Sequence, residues 1–180
     1  MDDLFKRVLT DLKVELTEEF DRNFERKAFF TKRWKDRKLD GRGSLLLTTG
    51  KLRRSIRAKV DKESVTWSSS EPYAAIHNYG GRITVTAKMK RFFWAKFYEL
   101  SGRIRNRKDG KPSKSSQKYS RQAEFYRNLA LMKIGSKIEI PQRQFLGDSP
   151  EVRKCVKTVC KEQLNAVVKD MVNQTKRKVK

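Results

Sequence analysis

The stretch LTTGKLRRSIRAKVDKESVTWSSSEPYAAIHNYGGRITVT, residues 47–86, switches between helical and strand periodicity several times in one short run. Thr48 or Thr49 can cap a short helix, and Gly50 tolerates the backbone angles of a tight entry. Leu52 and Ile56 then fall on one face. Ala58 and Val60 alternate with polar residues up to Asp61-Lys62-Glu63, and Val65 and Trp67 alternate after it, the pattern of a hairpin over 57–69. Glu71-Pro72 opens a second short helix running through His77, and Gly80-Gly81 ends it. Ile83 and Val85 alternate in a third strand. Short strands interleaved with short helices point to an α+β fold.

The flanking sequence is helical. Leu4, Val8, Leu12, Leu16, Phe20 and Phe24 recur every four residues, which predicts one long amphipathic helix over 2–30. Its opposite face mixes both signs of charge, so the stripe reads as a core or helix–helix contact rather than a membrane face. Residues 31–44 read as a polar loop that Trp34 can anchor. At the other end, Ser149 can cap a helix that begins at Pro150, with Val152, Val156, Val159, Leu164, Val167 and Met171 as its stripe. Ile138 and Ile140 alternate in a fourth strand, which Pro141 closes. Between strands three and four lies an insertion at about 87–136. Helices over 88–100 and 122–134 predict an αα-hairpin whose tip is a basic, Ser- and Gly-rich segment, 101–120, read as mobile. The expected architecture is one domain over 1–180. It has a small, mostly antiparallel sheet of about four strands packed by long N- and C-terminal helices, with an inserted helical hairpin.

The charge balance is lopsided: 44 Lys and Arg face 21 Asp and Glu in 180 residues, a formal net charge of +23. Such a surface attracts polyanions. Nucleic acid, an acidic protein surface, or solvation alone all fit that excess. Arg103, Arg105, Arg107, Lys108, Lys111, Lys114 and Lys118 form the candidate polyanion contact, which fits non-specific DNA contact better than sequence reading. The spacing of Cys155 and Cys160 fits neither a metal motif nor a redox pair, and a lone His77 excludes a two-histidine metal site. His77 has no nucleophile beside it in sequence, and reads as a locally hydrogen-bonded residue packed at a helix end. No catalytic residue, cofactor or metal ligand is expected. No apolar run approaches the ~20 residues that span a bilayer, so no membrane partner is expected. The start of the chain has no secretory character, which predicts synthesis in a reducing cytoplasm.

Three stretches resemble the phage virion-morphogenesis family, the tail-completion proteins of Mu-like and related tailed phages. Residues 47–56 resemble its L-x-T-G-x-L-x-x-S-I, through Thr49, Gly50, Leu52, Ser55 and Ile56. Residues 73–81 resemble Y-A-x-I-H-x-x-G-G, through Tyr73, Ile76, His77, Gly80 and Gly81. Residues 141–147 resemble P-x-R-x-F-L-G, through Pro141, Arg143, Phe145, Leu146 and Gly147. The resemblance implies a non-enzymatic structural protein of a bacteriophage or prophage, assembled in the host cytoplasm and placed at the head–tail junction or tail end. It further implies tail completion or head–tail joining by a ring-forming homo-oligomer that contacts tail or connector proteins. The alternative is a nucleic-acid-binding protein using the 103–118 loop. Beside the family reading, the glycines serve turns and the apolar motif residues pack on the sheet. Arg143 can pair with a carboxylate, across a subunit boundary or locally. The insertion departs from the shorter members of the family, so its role is not carried over.

Overall fold

The computed structural model describes residues 2–37, 44–107, 110, 113–114 and 116–178. The fold is α+β, and the chain divides into two compact units. One is formed by residues 1–34, 44–79 and 143–180, the other by 35–43 and 80–142.

The first unit is organised on two long helices, α1 (Asp2–Arg26) and α6 (Pro150–Lys178). Between them in sequence come the two-residue strands β1 (Ala28–Phe29) and β2 (Lys32–Arg33), helix α2 (Lys51–Arg54), strands β3 (Ile56–Val60) and β4 (Val65–Ser69), and helix α3 (Ala74–Tyr79). The expected helix over 2–30 stops four residues early. Lys27 takes a left-handed φ of 54°, Ala28–Phe29 pairs antiparallel with Lys32–Arg33, and Phe30 turns at φ 50°. Local propensity gives no reason for this stop, because residues 24–30 hold neither Gly nor Pro. Packing supplies one. Phe29 and Phe30 fold back onto Phe20 with ring centroids 6.4 and 6.3 Å away. Non-Gly left-handed residues cost roughly 1 kcal/mol each, and burying one Phe recovers about 1.5–3 kcal/mol.

The first half of α6 lies along α1, joined by a Gln163–Asp11 hydrogen bond at 2.5 Å and by Val159 buried among Leu12, Leu16 and Phe20. The Ser149 cap is as expected: its hydroxyl accepts from the Val152 N–H at 3.2 Å. The β3–β4 hairpin spans the predicted region, with Val60 opposite Val65 and Ala58 opposite Trp67. Trp67 fastens it to α1, edge-on to Phe20 at 5.4 Å, with its indole N–H donating to Thr17 Oγ1 at 2.9 Å.

The second unit contains β5 (Gly81–Thr84), α4 (Ala87–Ser101), α5 (Gln117–Leu131) and β6 (Lys137–Ile140). β5 and β6 pair antiparallel, Gly81 opposite Ile140 and Thr84 opposite Lys137, and form the stem from which the α4–α5 hairpin projects. The ladder continues through Val85, whose N–H donates to Ser136 O at 2.8 Å. Thr86 caps α4 by accepting from the Met89 N–H. Phe93, Leu100, Ala123 and Ala130 are buried, and the two alanines let the helix backbones approach. α5 begins at Gln117, five residues before the expected start, so part of the segment read as mobile is helical.

The four expected strands exist but do not make one four-stranded sheet. Among the described residues they form two separate antiparallel ladders, β3–β4 and β5–β6, beside the small β1–β2 pair. Alternation reports which side chains share a face. It carries no information about which strand supplies the hydrogen bonds.

At the stem, Gly80 has a φ of +72°, and a Cβ there would lie 2.9 Å from the backbone nitrogen of Gln142. Gly80→Ala is therefore expected to destabilise the protein by about 1–3 kcal/mol. Urea unfolding of the two proteins side by side measures this.

Candidate functional site

The second and third sequence motifs meet at Asn78, the last residue but one of α3. Its side chain is buried, and its carboxamide grips residues 145–146. Oδ1 accepts the N–H groups of Phe145 at 2.8 Å and Leu146 at 3.0 Å, and Nδ2 donates to Leu146 O at 3.0 Å. The segment 143–147 belongs to no strand, so its buried backbone depends on side chains for hydrogen bonds. Asn23 of α1 supplies another: Nδ2 donates to Phe145 O at 3.3 Å while Oδ1 accepts from the Phe30 N–H at 2.9 Å. Trp34, the predicted anchor, donates its indole N–H to Gln144 O at 2.6 Å. The Arg143 N–H donates to His77 O at 2.7 Å. Phe145, fully buried, then packs on Phe24 at 5.2 Å, in a core with Trp34, Leu45, Leu52 and Ala74.

The first motif joins the same core through Leu52. Gly50, not a threonine, is the N-cap of α2. It sits at φ 68°, and Thr49 contributes only a long 3.4 Å contact from the Lys51 N–H. Ser55 closes α2 by donating to Leu52 O at 2.7 Å and shares a hydrogen bond of 2.6 Å with Ser69 at the end of β4. Ile56 is half-buried against the core. Arg53, a variable position of the motif, holds α2 on α1 by pairing with Asp21 and Glu25. Its hydrogen bonds to Asp21 raise its pKa further above the ordinary arginine value.

Tyr73 and Ile76 flank His77, with the Tyr73 ring edge-on to the imidazole at 6.0 Å. The expected local hydrogen bond is not made at Nδ1, which is buried without a partner among the described residues. Burial, helped by the nearby Arg143 charge, holds the His77 pKa below the ordinary histidine value. Arg143 itself is buried. Gly80, Gly81 and Pro141 fall at the stem of the second unit, while the other motif residues build the first. Of the basic loop, Arg103, Arg105, Arg107 and Lys114 connect the helices and Lys118 lies in α5. Lys108 and Lys111 lie outside the described residues.

Among the described residues, no group of three or more His, Cys, Asp or Glu is placed to hold a metal ion. Burial and a hydrogen bond to Glu15 push the Cys155 thiol up to about 11, which disfavours the reactive thiolate. No helix among the described residues is long and apolar enough to cross a membrane. The second and third motifs contribute Ala75, Tyr79 and Leu146 to a concave pocket of about 490 Å³ on the first unit, whose wall Trp67, Pro72 and Val152 complete.

A model of the phage virion morphogenesis family matches residues 7–165, from the first turns of α1 into α6. The chain belongs to the phage virion morphogenesis family. No curated protein and no solved structure matches it. The match runs far beyond the three motifs and takes in most of α1 and about the first half of α6. Two residues central to this virion morphogenesis domain, Asn23 and Asn78, escape the motif reading. Their signal is a polar residue on an apolar helix face: Asn23 lies three residues after Phe20, and Asn78 four after Ala74.

Asn78→Ala leaves two buried N–H groups and one carbonyl without a partner, and is expected to cost about 2–5 kcal/mol. Asn78→Asp keeps the acceptor and should cost less; thermal unfolding of the three proteins checks the order. His77 takes a proton more readily unfolded than folded. Its contribution to stability is therefore full above the ordinary histidine range and is lost as the pH falls through and below it. In His77→Gln, urea midpoints are expected to fall less between about pH 7.5 and about pH 5.5 than in the parent.

Proposed function

We propose that this protein is a non-enzymatic component of a tailed-phage virion. In this reading it acts in tail completion or head–tail joining as a ring-forming homo-oligomer at the head–tail junction or tail end.

 A ring is the arrangement that repeated head-to-tail contacts between identical subunits produce when their rotation closes. The observation that carries this reading is an apolar stripe on α6 that the chain itself leaves uncovered. Beyond Gln163, Leu164, Val168, Met171 and Val172 recur on one helix face, and Val168 and Met171 are 58% and 62% exposed. Next to it, a groove lined by Leu4, Phe5, Val8, Leu9, Cys160 and Leu164 runs along the first turns of α1. Contiguous apolar surface of this kind marks protein–protein contact. The motif pocket, with the exposed Tyr79 at its edge, offers a second apolar recess to a tail or connector protein.

Val168→Asp/Met171→Asp alters only exposed side chains, so the fold is expected to persist by circular dichroism. Light scattering after gel filtration should give a multiple of the chain mass for the parent protein and a smaller assembly for the variant. A parent protein that stays monomeric at high concentration, and binds neither tail tubes nor connectors, overturns the reading.

A further inference from the structure

The excess positive charge is unevenly divided. Residues 35–43 and 80–142 hold 20 Lys and Arg against six Asp and Glu, while the rest of the chain holds 24 against 15. Two of the acidic groups in the second unit are already engaged. Glu99 pairs with Lys96 at 2.7 Å and Arg103 at 2.8 Å, and Glu139 pairs with Arg82 at 3.3 Å. Lys88 and Arg91 on α4, and Lys118, Arg121 and Arg127 on α5, are exposed and carry no ion pair among the described residues.

These cations are not confined to the loop. Phe92 and Phe93 of α4 meet Tyr126 of α5, with ring centroids 6.4 Å apart in each pair, and the antiparallel β5–β6 ladder brings the start of α4 beside the end of α5. Lys88, Arg91 and Arg127 therefore sit toward the stem. Lys118 and Arg121 sit toward the connecting segment, with Arg105 and Lys114. Positive charge runs the length of the hairpin.

We propose that the outer faces of α4 and α5 form a binding surface for the sugar–phosphate backbone of duplex DNA, contacted without regard to sequence. Each helix has 15 residues and is about 22 Å long. A duplex carries one charge per ~1.7 Å of axis with both strands counted, so that length of duplex carries about 13 phosphates, a linear array of charge that matches a line of cations better than a local acidic patch on a protein does. The aromatic residues favour backbone contact over base stacking. Trp94 and Tyr98 stack on each other at 5.9 Å, and Phe92 meets Phe93 and Tyr126 edge-on, so these rings are already paired within the hairpin. This inference does not depend on the ring or on tail completion.

The test is fluorescence anisotropy of the full-length protein with a labelled random-sequence duplex, titrated across salt concentrations. Arg91→Ala/Lys118→Ala/Arg121→Ala/Arg127→Ala should weaken binding and flatten the slope of log K against log salt by about 2 or more. Lys154→Ala/Lys157→Ala/Lys161→Ala, on α6 of the first unit, should leave the slope nearly unchanged. Equal losses in both variants would mean diffuse attraction to the whole protein and would overturn the proposal. So would a loss seen only in Arg105→Ala/Lys114→Ala, or polyglutamate competing as well as unlabelled duplex. Circular dichroism confirms that each variant is folded, and the oligomer mass, measured in parallel, reports on the assembly reading separately.

Discussion

The Asn78 carboxamide carries the constraint on which the first unit rests. Residues 143–147 pass through the core without a strand beside them, and a buried backbone without partners is costly. Asn78, Asn23 and Trp34 provide those partners from α3, α1 and the segment after β2. Phe145 can then sit among Phe24, Trp34 and Leu52, which brings all three motifs to one core. The motifs are spread over a hundred residues because the hydrogen bonds and the core they build are shared.

The same contacts explain how the fold accommodates a large excursion. The chain leaves the first unit after Tyr79 and returns at Arg143, and the Arg143 N–H bond to His77 O holds those two points together. The β5–β6 ladder does the equivalent for the second unit, and Gly80 allows the close approach at its base. Each unit closes on its own bonds. The hairpin can therefore differ in length or charge without disturbing the core around Phe145.

Charge follows the same division. α1 carries most of the acidic residues of the first unit and spends several of them on Arg22, Arg26 and Arg53. The second unit has few acidic residues, and its helices present cations to solvent. The excess of positive charge thus lies mainly in one part of the chain, while the exposed apolar stripe of α6 belongs to the other.

The helices, the β3–β4 hairpin, the cap at Ser149, and the inserted αα-hairpin were legible in the sequence, because periodicity and capping are local properties. The family was legible from three short motifs. The early end of α1 was not, since Phe29 and Phe30 leave the helix only because Phe20 offers a place to pack. Nor was the separation of the strands into two ladders, because alternation is blind to pairing partners. Asn78 occupied a variable position of its motif, and its role exists only once residues 145–146 lie within reach of its side chain. The sequence by itself determined the main helices, the four strands β3 to β6, their order and the family, but not the β1–β2 pair. Tertiary structure alone decided which polar groups meet, because hydrogen bonds between residues 67 or 122 positions apart depend on how the chain closes on itself.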